Sequence, residues 1–64
     1  MIVNGEEVTI ADGTTVAAFL SSRGHDISRS AVLLNGKVVP RAKLESTALS
    51  NSDRMEIVSF VGGG

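Results

Sequence analysis

Ala31-Val32-Leu33-Leu34-Asn35-Gly36-Lys37-Val38-Val39-Pro40 consists of two short apolar runs joined by an Asn-Gly pair. Asn-Gly is the dipeptide that most readily takes the two positive φ angles of a type I′ turn, so the stretch predicts a β-hairpin with strands over 31–34 and 38–39. Pro40 has no amide donor, which stops the second strand and places it at an edge. The same signal stands upstream, where Met1-Ile2-Val3 ends at Asn4-Gly5 and Val8-Thr9-Ile10 follows with alternation. A first hairpin is therefore expected over 1–10.

Between the hairpins the periodicity changes. Asp12-Gly13-Thr14 breaks the strand pattern, Thr15 is a cap residue, and Val16, Phe19 and Leu20 have the i, i+3, i+4 spacing of one buried helical face. Gly24 suits the left-handed position after the last turn, and Arg23 in that last turn has the favourable sign for the helix dipole. A helix of about two turns does not stand alone in water, so packing on the sheet must hold it. Beyond the second hairpin, 41–53 is polar and reads as a loop containing a helical turn, anchored by Leu44 and Leu49. Met55-Glu56-Ile57-Val58-Ser59-Phe60-Val61 is the longest strand candidate, and Gly62-Gly63-Gly64 resist any fixed backbone conformation. The order ββαββ and a last strand predict an α+β fold. In it, a mixed sheet of four to five strands packs on one short helix, with a folded unit over 1–61 and a flexible glycine tail over 62–64.

Composition narrows the function. A chain of 64 residues buries only about 60% of its unfolded surface, which leaves one thin apolar layer and no deep interior for an active site. No Cys is present and His25 is the one histidine, so neither a disulfide framework, a thiolate nucleophile nor a Cys/His metal site is expected. Six Lys and Arg against seven Asp and Glu, with 3% aromatic residues, provide neither a basic footprint for phosphates nor a stacking platform for bases. Nucleic acid and membrane are not expected partners, and a cytoplasmic protein is expected, since no long apolar run or signal-type segment stands in the sequence.

Two features carry functional hints. Alternation along the last strand sends Met55 and Ile57 to one face and Val58 and Phe60 to the other. If the helix covers the first pair, Val58 and Phe60 lie on the open face beside the tail, either as ordinary surface apolars or as a partner-docking patch. The second feature is Gly62-Gly63-Gly64, either a frayed end or a substrate in its own right. A terminal carboxylate with a pKa near about 3.5 is ionised at neutral pH. Glycines without side chains thread a narrow cleft, and three extended residues reach about 10 Å. Such a carboxylate attacks the α-phosphate of ATP in another protein's active site. The remaining polar residues read as structural: His25 as a turn residue; Asp12, Asp26 and Asp53 as turn and cap residues; and Asn35-Gly36-Lys37 as a hairpin turn. Arg41, Lys43 and Arg54 are either scattered surface cations or a basic rim for an acidic partner.

Asn35-Gly36-Lys37-Val38-Val39-Pro40-Arg41, Leu44, Asp53-Arg54-Met55-Glu56-Ile57-Val58 and the closing Val61-Gly62-Gly63-Gly64 together resemble the ThiS family of sulfur carriers in thiamine thiazole biosynthesis. The resemblance spans the chain; Leu44 and Ser52 depart from it, where the family often has Trp and Gly. It implies a β-grasp, ubiquitin-like fold and a protein substrate without catalytic activity or bound cofactor of its own. A ThiF/MoeB-like adenylating enzyme would activate the Gly64 carboxylate with ATP. A sulfur relay of the cysteine desulfurase or rhodanese type would then replace AMP by sulfur, and a ThiG-like thiazole synthase would receive that sulfur. Gly62 and Gly63 would thread the partner channel, while Val58 and Phe60 would dock. The alternatives are a MoaD-like carrier for molybdopterin or another pathway, a ubiquitin-like modifier, and a binding module with an inert tail.

Overall fold

The computed structural model describes residues 1–60, so the expectations placed on Val61 and on Gly62, Gly63 and Gly64 lie outside the described residues. The elements in chain order are β1 (Ile2–Val3), β2 (Glu6–Glu7), α1 (Val16–Ser22), β3 (Ser30–Leu34), β4 (Lys37–Val38) and β5 (Arg54–Ser59). Short 3-10 turns stand at Ile27–Arg29 and Arg41–Lys43. The five strands form one mixed sheet of order β2-β1-β5-β3-β4, in which β1 and β5 are parallel and every other pairing is antiparallel.

Both Asn-Gly turns take the backbone expected of them, with φ of 49° and 84° at Asn4-Gly5 and 52° and 83° at Asn35-Gly36. A two-residue turn pairs the residues on either side of it at once. Val3 thus faces Glu6 and Leu34 faces Lys37, and the second strand of each hairpin lies closer to the turn than the apolar runs Val8-Thr9-Ile10 and Val38-Val39 indicate. Val8 nevertheless extends the first ladder, exchanging hydrogen bonds with Met1 at 2.7 and 2.9 Å. β4 is an edge strand, as Pro40 requires.

The turn asparagines have a further role. Asn4 Oδ1 accepts the Ile57 N–H at 2.8 Å and its Nδ2 donates to the Ile57 carbonyl at 3.3 Å. The side-chain amide thereby continues the β1–β5 ladder one step past the end of β1. Asn35 Oδ1 accepts the Arg54 N–H at 3.0 Å and its Nδ2 donates to Asp53. Both hairpin turns therefore grip β5, the strand that leads to the chain end.

Helix α1 is seven residues long and depends on its surroundings. Its first amide donors, which have no partner within a helix, are all taken up: Val16 donates to the Thr47 carbonyl, Ala17 to the Leu44 carbonyl, and Ala18 to Thr15 Oγ1 at 3.1 Å. At the other end, Gly24 has φ of +75°, the Gly24 N–H bonds to Ser21 and the His25 N–H to Leu20, which closes the helix by a Schellman motif. Arg23 is the C-cap rather than a member of the last turn, and its guanidinium lies 5.1 Å from the Phe19 ring centroid. Val16, Phe19 and Leu20 pack with Val32, Met55, Ile57, Leu44 and Leu49 into one buried cluster, so both loop anchors act as the sequence indicates. The layer is one helix and one loop on one face of the sheet. The other face carries no covering element among the described residues.

Candidate docking face and chain exit

Strand β5 determines what the uncovered face presents. Met55 and Ile57 point into the core and are buried, while Glu56 and Val58 alternate to the opposite side. Val58 is 48% exposed and Phe60 57%. Sheet register adds neighbours that alternation along one strand does not reveal. Ala31 lies opposite Val58, Leu33 opposite Glu56, and Val38 opposite Leu33. Residues directly opposite one another share a face, so half-buried Ala31 and Leu33 join Val58 and Phe60, and Val38, 68% exposed, extends the patch to the edge. The large exposed hydrophobics among the described residues, Val38, Val58 and Phe60, all belong to this face. Clustering of that kind, rather than the exposure of any one of them, makes this face the candidate docking surface.

Strand β5 ends at Ser59, two residues before the Val61 expected from the sequence, although Val61 itself lies outside the described residues. The Phe60 N–H still donates to the Arg29 carbonyl at 2.7 Å. The backbone is thus held at the last described residue, which lies by the start of β3, where Ser59 faces Ser30, and away from the β1–β2 hairpin, which pairs with the start of β5.

Among the described residues no group of His, Cys, Asp and Glu is placed to hold a metal ion, and no helix is long and apolar enough to cross a membrane. A shallow cleft is lined by Ile2, Asn4, Gly5, Arg54, Met55 and Glu56, but its central amide, Asn4, is already engaged by Ile57. Asp26 caps the 3-10 turn through Ser28, and Asp53 accepts from the Ser50 N–H and from Asn35, which fits their reading as turn and cap residues. A rim of Arg41, Lys43 and Arg54 is not formed. Arg54 opens β5 beside Ile2, whereas Arg41 bonds to the Ser28 carbonyl near the other end of that strand.

A small mixed sheet with a parallel central pair, one short helix across one face and an apolar opposite face beside the last strand define a β-grasp, ubiquitin-like domain. Comparison with known proteins makes this specific. The ThiS family model matches residues 1–64. The ThiS thiamine biosynthesis protein of Geobacter metallireducens has a crystal structure that superposes with a TM-score of 0.82, at 32% identity over 98% of this chain and 96% of that one. The thiazole synthase of Paramagnetospirillum magneticum is 38% identical over 64 residues, all of this chain and 20% of that protein. The thiazole synthase of Magnetococcus marinus is 36% identical over 62 residues, 97% of this chain and 19% of that protein. The chain thus spans about a fifth of the length of the thiazole synthases it matches. It belongs to the ThiS family.

Proposed function

We propose that the chain is a sulfur carrier of thiamine biosynthesis whose reactive group is the Gly64 carboxylate. An adenylating enzyme of the ThiF/MoeB type joins that carboxylate to the α-phosphate of ATP with loss of pyrophosphate. A relay of the cysteine desulfurase or rhodanese type replaces AMP by sulfur, and the thiocarboxylate gives up its sulfur to a thiazole synthase. The domain itself binds no cofactor and performs no chemistry; it presents an end group to enzymes that do. The observation that carries this reading is the ThiS-family match over residues 1–64, joined to a sequence that closes on three consecutive glycines a few residues after a strand whose neighbour Phe60 is still held by a backbone hydrogen bond. A match to part of two longer thiazole synthases supports that enzyme as the acceptor. The lack of Cys is compatible with sulfur carried on the main chain.

The decisive experiment is the intact mass of the protein isolated from its native host. A population with one oxygen replaced by sulfur at the C-terminal residue is expected. Conjugates to lysines of other proteins would instead identify a modifier, and a thiocarboxylate that supports molybdopterin but not thiazole formation would identify a different pathway.

Val58 and Phe60 form the apolar seat for these partners, and Gly62 and Gly63 pass through the enzyme's channel. Phe60→Ala is expected to weaken binding of the adenylating enzyme roughly tenfold or more, as loss of a central aromatic contact does, and to move the melting temperature by no more than a few degrees. Calorimetric titration and thermal denaturation of the same variant check the two halves. A large loss of stability with intact binding would return Phe60 to the core.

A further inference from the structure

At the end of β5, two arginines stand at one 3-10 turn: Arg29 is ion-paired with Asp26, and Arg41 bonds to the turn's backbone. The 3-10 turn Ile27–Arg29 holds the Phe60 N–H through the Arg29 carbonyl at 2.7 Å. The same turn accepts a hydrogen bond from Arg41, whose Nη2 donates to the Ser28 carbonyl at 3.0 Å. Arg29 Nε lies 3.9 Å from Asp26, with both side chains largely exposed. Asp26 is already engaged by the Ser28 hydroxyl at 2.7 Å and the Ser28 N–H at 3.0 Å. These hydrogen bonds, and after them the charges of Arg29 and Arg41, hold its carboxyl below its ordinary pKa. One negative charge thus stands against two positive ones. The bond from Arg41 to a neutral carbonyl orients the guanidinium without neutralising it. Glu6 and Glu7 lie on β2, at the opposite edge of the sheet and beside the start of β5. At the turn that holds Phe60, Arg29 and Arg41 therefore outnumber Asp26 by one charge, while Glu56, on the same face as Val58, lies toward the start of β5 opposite Leu33.

We propose that Arg29 and Arg41 form a cationic collar at the root of the tail that docks on carboxylates bordering the cleft of the adenylating enzyme. The inference rests on the carrier reading above and specifies the chemistry of that partner: an acidic rim next to an apolar seat for Val58 and Phe60. Arginine suits the role because its planar fork makes paired hydrogen bonds to a carboxylate. A guanidinium already oriented by Ser28 loses less side-chain entropy on docking than a free one. Opposite charge around the cleft also steers the tail toward its entrance, an effect that acts on association and weakens with salt.

The test is ATP–pyrophosphate exchange by the adenylating enzyme of the same organism across an ionic-strength series, with the full chain and its Arg29→Ala, Arg41→Ala, Arg41→Lys and double-alanine variants. For the unaltered chain kcat/KM is expected to fall as salt rises. The double variant should lose roughly tenfold at low salt, with kcat at saturation retained and the salt dependence flattened. Arg41→Lys should recover most of the loss, because it keeps the charge. A purely structural role for Arg41 would lower the melting temperature and leave the salt slope alone. If the unaltered chain is active but insensitive to salt, or the double variant matches it, the collar is overturned and the carrier reading stands. If the unaltered chain is not adenylated at all, the carrier reading falls and the collar with it.

Discussion

A chain lacking Gly63 and Gly64 is expected to lose adenylation completely and to fail to restore growth of a thiamine-requiring host that lacks its own carrier, while melting at the temperature of the intact protein. The first half follows from the chemistry. On the proposed carrier reading the carboxylate oxygen that takes up the adenylyl group belongs to Gly64, and a carboxylate left on Gly62 starts two residues, about 7 Å, short of it. No side chain of the domain substitutes for that distance. The second half follows from the location of the core, whose buried members run from Met1 to Ile57 and whose last strand ends at Ser59. Gly63→Val is a sharper version of the same experiment: it keeps the length and the carboxylate and adds only a β-branched side chain that a narrow channel rejects. It should fold normally and remain unactivated. Adenylation of either variant at the rate of the intact chain would remove the terminal carboxylate from the mechanism.

The parts of this molecule that were legible in its sequence are those fixed by local backbone chemistry. Asn4-Gly5 and Asn35-Gly36 announce type I′ turns because only a few residue types tolerate two successive positive φ angles, and the turns form at both places. Thr15 and Gly24 mark the helix ends for similarly local reasons, and Val16, Phe19 and Leu20 its buried face. Strand positions were less legible, since the turns impose a register in which Glu6–Glu7 and Lys37–Val38, not the apolar runs beyond them, make the ladder. The exposure of Val58 and Phe60 could be read from period-2 alternation along one strand. Their partners on that face, Ala31, Leu33 and Val38, could not, because they depend on which strands lie side by side. The same holds for the exit. Arg41 meets the Ser28 carbonyl across 13 positions of sequence, and Asn4 meets Ile57 across 53, separations over which no local pattern carries information.

These long-range contacts converge on β5. Asn4 and Asn35 hold its backbone from the two hairpin turns, β1 and β3 pair along its sides, and the Arg29 carbonyl takes the amide of Phe60 just beyond it. Residues outside the proposed reactive end thus fix the backbone of β5 and of Phe60, the last described residue. A carrier needs its end group free to enter an active site, yet recognised as part of a particular surface. Holding β5 and Phe60 in the folded domain serves the second requirement, because the ordering entropy of the strand is then lost on folding and not on binding.

Stability must then come from a very small core, and Leu20→Ala is expected to remove most of it. Leu20 is fully buried, with 0% exposure, in contact with the cluster that joins α1 to Met55 and Val32 on the sheet. Truncation of a buried leucine to alanine costs about 2–5 kcal/mol, through lost transfer energy and the cavity left behind. At roughly 0.05–0.15 kcal/mol per residue, a chain of this length has a total of only about 3–10 kcal/mol to lose. Each kcal/mol in so short a domain corresponds to about 4–8 °C of melting temperature, so far-ultraviolet circular dichroism should record a fall of more than about 10 °C. A two-turn helix cannot survive the loss of its packing, because isolated helices of this length are not stable in water. Val58→Ala, on the uncovered face, should change the transition little and serves as the control. If the Leu20 variant melts within a few degrees of the intact protein, the helix does not supply the main apolar contact to the sheet. The separation between a buried face that holds the fold and an open face that meets partners would then have to be abandoned.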